Sequence, residues 1–153
     1  MPTATVPVSR LWARRAAATV LDVLGFCALS FVTAVVAPHR GPLGIATGVL
    51  VADAIWVAYL TLAVALSGAT LGQWSRGLSV TRPDGRRAGP IAALARALLV
   101  VVPVYLAALS SLVTAVVALA LLLDVVWALR SPGRALHDLA TGTAVAARPL
   151  DRA

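Results

Sequence analysis

The sequence contains no lysine, no glutamate and a single cysteine, and only 12% of its 153 residues are charged. Soluble domains carry about 25% charged residues, so this shortage excludes an ordinary soluble fold. A lone Cys27 excludes an internal disulfide, and the two histidines cannot complete a Cys/His metal set at ligand spacing. Cys27 sits within an apolar run and is expected to serve as a small buried hydrophobe. Aromatic residues make up only 5% and none interleaves with a basic patch, which leaves no nucleic-acid-binding module. A Ser/His/Asp order or a paired general acid and base is also missing, so an enzyme is not expected. Gly68, Gly72 and Gly77 are irregularly spaced and follow an apolar helix, not a strand. They do not form a phosphate-cradling loop, and no cofactor is expected.

What remains is apolar. Hydrophobic residues reach 60% and the mean hydropathy is +0.92, values of an integral membrane protein one domain in length. All thirteen basic residues are arginine and the net charge is +7. Such a surplus fits cytoplasmic loops that face anionic lipid headgroups.

The first apolar run begins with Arg10, Arg14 and Arg15 and ends near Val35-Val36-Ala37, in the manner of a secretory signal. It exceeds the ~7–15 residues of such a segment and contains Asp22, so a retained helix is expected. Arg15, Ala18, Asp22, Gly25 and Leu29 recur at alternating three- and four-residue steps and share one stripe of that helix. Arg15 and Asp22 are ~10 Å apart along it, too far to pair, at ~1.5 Å rise per residue. A carboxylate at that depth costs several kcal/mol when unpaired. Each therefore needs a partner elsewhere in the chain or on a second subunit.

The chain divides into a disordered lead (1–10), a transmembrane domain (11–147) and a tail (148–153). Apolar helices are predicted over 11–36 and 43–66, separated by Pro38-His39-Arg40-Gly41-Pro42, and the second carries Asp53, Trp56 and Tyr59. Between 67 and 96 the chain is rich in arginine and glycine. Leu78-Ser79-Val80-Thr81 followed by Arg82-Pro83-Asp84-Gly85 predicts a short β-hairpin at the cytoplasmic surface. As one helix, 91–129 would run close to ~60 Å, about twice the hydrocarbon thickness. The arginine-rich lead, middle loop and tail share one side of the membrane if this stretch crosses twice. The expected architecture is therefore all-α: a bundle of four membrane helices, the last two over 91–108 and 112–129. Pro103 or Ser110-Ser111 could mark the bend. Three helices with an external tail is the alternative. Trp12, Trp74 and Trp127 fall near the expected cytoplasmic boundaries, as interfacial anchors do.

Three blocks carry a family resemblance. They are Arg15-x-x-Ala18-x-x-x-Asp22; Gly68-Ala69-Thr70-Leu71-Gly72 continuing to Gly77-Leu78-Ser79-Val80, Asp84-Gly85 and Arg96; and Arg134-Ala135-Leu136-His137-Asp138-Leu139-Ala140-Thr141-Gly142-Thr143. In this order they resemble the RDD family of bacterial membrane proteins, over nearly the whole chain. Two departures stand out: Gln73 where the family often has lysine, and Thr141 where alanine is common. The resemblance implies a bacterial membrane protein, and the arginine distribution places both termini of this multi-pass chain on the cytoplasmic side of the cell membrane. The resemblance also implies an association with transport, sodium–proton exchange included.

The residues expected to matter follow from this. Arg15, Asp22, Arg96 and Asp138 are expected to form a buried charge cluster, either a fixed ion-pair set or an ion-coupling site. Asp53 and Asp124 are additional intramembrane charges, with Asp124 reaching headgroups or an arginine. His137 is either a proton relay beside Asp138 or a donor to loop backbone. Gly68, Thr70, Gly72, Gly77 and Gly85 are expected to shape and pack the loop. Two functions fit: an accessory subunit docked on a larger membrane transport complex, or a self-associating cation/proton antiporter coupled through Asp22.

Overall fold

The computed structural model describes residues 8–36, 41–107, 110–131 and 134–148. Six helices and two strands follow in order. They are α1 (Val8–Val36), α2 (Gly41–Leu62, extended by a π-helical turn, Ala63–Ser67), α3 (Leu71–Ser75), β1 (Leu78–Thr81), α4 (Pro90–Ala107), α5 (Ser111–Arg130), α6 (Leu136–Ala140) and β2 (Ala144–Ala147). Four of these helices are long and apolar. α1, the α2 region and α5 have the length and composition to cross a membrane, and α4 adds a shorter apolar run over Pro90–Pro103. At the expected bend α4 ends at Ala107 and α5 starts at Ser111, where Ser110 N-caps α5 by accepting from Val113 N at 3.3 Å. Pro103 is accommodated inside α4.

α1 begins at Val8 and so takes in the end of the stretch expected to be a disordered lead. The turn around His39 and the last five residues lie outside the described residues.

The expected local hairpin does not form. β1 pairs antiparallel with β2, Leu78 opposite Ala147 and Thr81 opposite Ala144, so the sheet joins the middle loop to the C-terminal segment. The turn itself is present, with Gly85 N donating to the Arg82 carbonyl at 2.9 Å and Gly85 in the left-handed region (φ 81°). Only a bridge between Thr81 and Arg87 follows it, because Pro90 starts α4 and leaves no room for a return strand.

Buried packing concentrates at this end of the molecule. Ala18, Val64, Leu78, Val80, Ala88, Ala93 and Val145 form the core, where the loop and sheet close over the feet of α1, α2 and α4. Higher up, small residues bring helices together, among them Ala52 on α2 and Ala97 on α4. Trp56 packs against Phe26 of α1 (ring centroids 5.4 Å) and Tyr59 (4.8 Å), so it is a helix-packing residue. Trp12, Trp74 and Trp127 are exposed. Cys27 is exposed too, on the outer face of α1, which corrects the expectation of burial. α5 has half-buried residues but none that is fully buried within the chain.

Candidate functional site

Two polar nodes occupy the capped end. The first is built on Asp22. α3 has only five residues, and a helix this short leaves its leading N–H groups without intrahelical partners. Each finds a side chain. Thr70 N donates to Gln73 Oε1 (3.0 Å) and Gln73 N to Thr70 Oγ1 (3.2 Å), a reciprocal capping box. Leu71 N donates to the Tyr59 hydroxyl (2.8 Å), and Gly72 N to Asp22 Oδ1 (3.0 Å). The Thr70 hydroxyl then donates to Asp22 Oδ2 at 2.6 Å. Thus Asp22 pins α3 to α1 through hydroxyl and amide donors.

Gln73 is the residue that closes this box. Closing the box requires an acceptor at the third helical position, which glutamine supplies and lysine cannot. Gly72 is required by proximity: a Cβ there would lie 2.8 Å from Asp22 Cγ and closer still to the Ala18 carbonyl oxygen. Gly68 ends the π turn in the left-handed region (φ 74°), and Gly77 links α3 to β1 the same way (φ 65°).

The second node centres on Asp138, which is fully buried. Arg15 Nη2 donates to its Oδ2 at 2.6 Å, and Arg96 Nη1 donates to Oδ1. Ala135 N adds a bond to Oδ2 (2.9 Å) and Thr143 Oγ1 lies 3.5 Å from Oδ1. One carboxylate thus ties α1, α4 and the C-terminal segment together. Arg15 Nη1 is buried with no partner among the described residues.

Asp124 on α5 is the second anion of this node, and its partner among the described residues is His137 where an arginine was expected. Its two oxygens take His137 N (2.9 Å) and His137 Nδ1 (2.8 Å), fixing the foot of α5 to α6. Accordingly the His137 ring bonds a carboxylate, not loop backbone, and its Nε2 stands 3.4 Å from Asp138 Oδ1. Burial, with Arg96 adding to it, pushes the His137 pKa down to about 4, so the imidazole is neutral near neutrality. The 2.8 Å contact from Nδ1 to a carboxylate oxygen is satisfied by the tautomer that carries the ring proton on Nδ1. Two arginines and two aspartates leave the node without net charge.

Arg15, Arg96 and Asp138 therefore come together, whereas Asp22 stands apart from them with Thr70 and Gly72. Asp53 belongs to neither node. The involvement of Thr143, Tyr59 and Gln73 was not legible beforehand, because a single hydroxyl or amide carries no pattern in sequence.

A sequence model of the RDD family matches residues 9–142, which includes all three motif blocks and both nodes apart from Thr143. The chain belongs to the RDD family. No curated protein and no solved structure matches it. In this RDD protein Arg15 of the first motif block pairs with Asp138 of the third, while Asp22 holds a separate node.

The lowered His137 pKa has a testable sign. Between pH 6.5 and about 4 the native protein binds fewer protons than the unfolded chain, so stability is level above that window and falls as pH drops through it. Thermal melts in detergent should show a Tm that declines across the window in wild type and a flatter profile in His137→Asn. Parallel profiles would assign the decline to other groups.

Proposed function

We propose that this RDD protein is a non-enzymatic accessory or structural subunit of a larger membrane transport complex, handling lipids or solutes. Its place is the bacterial cell membrane, with both termini and the arginine-rich loop on the cytoplasmic side. The observation that carries this reading is Asp138: fully buried, with both carboxylate oxygens held by arginines and backbone. A charge set closed in this way acts as a clamp on helix positions and has no free ligand to offer a travelling ion. The working surface is then the exterior. Small residues and an α5 with no fully buried residue suit docking against other membrane subunits or a second copy. Exposed Arg76, Arg82 and Arg86 suit anionic headgroups.

The second reading is a cation/proton antiporter coupled through Asp22. In its favour, Asp22 pairs with no cation among the described residues. Against it, both carboxylate oxygens are already engaged in capping α3.

Purifying the tagged protein from its native membrane in mild detergent distinguishes the two. The subunit reading expects a different membrane protein in stoichiometric amount, and no cation-driven proton flux from vesicles holding the RDD protein alone. A pure self-oligomer whose flux disappears in Asp22→Asn, with elution unchanged, would overturn it.

A further inference from the structure

Among the described aspartates, four have partners. Asp22 holds α3, Asp124 holds His137, Asp138 holds two arginines, and Asp84 accepts from Arg86 N within its turn. Asp53 is the exception. It lies near the middle of α2, only 9% exposed, and its Oδ2 is buried without a hydrogen-bond partner among the described residues. On the neighbouring helices Arg10, Arg14 and Cys27 of α1 are exposed, and several other charged or titratable groups are bound elsewhere. Arg15 and Asp22 of α1, Arg96 of α4 and Tyr59 of α2 serve the two nodes, and Arg87 donates to the Leu66 carbonyl at 2.8 Å.

The surroundings are as unhelpful to a negative charge. Asp53 lines a groove of about 650 Å³ beside α2, with Leu50, Val57, Leu62 and Leu94 of α4 supplying apolar walls. Thr61 is two turns along the same face, and its hydroxyl is also buried and unpaired. At ~1.5 Å per residue it is ~12 Å from Asp53, too distant to serve it. An unpaired carboxylate in a membrane-crossing helix is costly. Oδ2 is closed off, so no ligand reaches that oxygen, while the residue as a whole lines the groove. A proton taken up from the groove side removes the negative charge, which is the costly part of an unpaired carboxylate in an apolar setting.

We propose that Asp53 is a proton-binding site: its carboxyl takes up H⁺ and resides in α2 as the neutral acid, exchanging that proton by way of the α2–α4 groove. The site is separate from the arginine-bound Asp138 and from Asp22, and it needs no partner subunit, so it stands whether or not the accessory-subunit reading does. Proton binding alone does not amount to cation exchange.

Infrared spectroscopy of the purified full chain in detergent tests the protonation. A carboxylic C=O band should be present near neutral pH, shift in D₂O, and vanish in Asp53→Asn. That variant, isosteric with the neutral acid, should elute and melt like wild type. A hydrophobic carbodiimide, which attacks protonated carboxyls in apolar surroundings, tests the groove. Peptide mapping should find the adduct on Asp53 and not on Asp22 or Asp138. Labelling should fall about tenfold per pH unit once the carboxyl titrates. A folded protein whose spectrum is unchanged by Asp53→Asn would overturn the assignment of the proton. A persistent band with no adduct on Asp53 would overturn exchange through the groove.

Discussion

Replacing Asp138 with alanine should cost about 3–5 kcal/mol and leave little folded protein in detergent, the loss expected when one partner of a buried ion pair is removed. The reason is what would be left behind. Arg15 and Arg96 approach the same carboxylate from different helices, and their side chains are only 16% and 12% exposed. Without Asp138 two guanidinium groups would face each other in a largely buried space. Ala135 N and the Thr143 hydroxyl would lose an acceptor as well. Relief would come from separating α1, α4 and α6, which opens the core beneath them. Removing the whole set gives the discriminating comparison. A triple variant, Arg15→Met, Arg96→Met and Asp138→Leu, should recover much of the lost stability, since apolar replacement of a buried triad is often neutral or better. Fluorescence-detected size exclusion after a heat step reads both. A single variant as stable as wild type would show that the clamp is not structural.

The second large effect is expected at Gly72. Its φ is unremarkable, so backbone freedom is not the issue; proximity is. Alanine would press its methyl against the Ala18 carbonyl oxygen and the Asp22 carboxyl. The Ala18 atom is helix backbone and cannot swing away, so α3 must lift. Lifting it breaks the Gly72 N–Asp22 bond and draws Thr70 off Asp22 Oδ2. Overpacking of this kind costs ~1–3 kcal/mol, and stranding a carboxylate in the membrane helix adds to it. Gly72→Ala should therefore melt well below wild type. Pairing it with Asp22→Asn, which removes the charge but keeps an acceptor, should cost less than the sum of the two changes, because both act on one contact. Strict additivity would separate Gly72 from Asp22.

Membrane character, the four long helices and the boundary at Ser110 were legible because they rest on local properties. Hydropathy over some twenty residues, turn chemistry and helix length in ångströms need no knowledge of what the chain meets later. The motif residues were legible as well, and so was the need of Arg15 and Asp22 for separate partners, since seven residues of helix keep them apart.

The identity of those partners was decided by tertiary structure. Arg15 and Asp138 are 123 positions apart, and no period or spacing links them. The strand at Leu78–Thr81 carried its own signal, but its partner is the alanine-rich Ala144–Ala147, which shows little strand preference and pairs because α6 delivers it there. The spacing within α1 could separate Asp22 from Arg15. It could not reveal that Asp22 would cap a helix fifty residues away, or that Asp53 would be left with no partner among the described residues. Composition determined which residues could not face lipid alone. Only chain closure, which brings distant donors within 3 Å or fails to, decided which of them were satisfied and which was not.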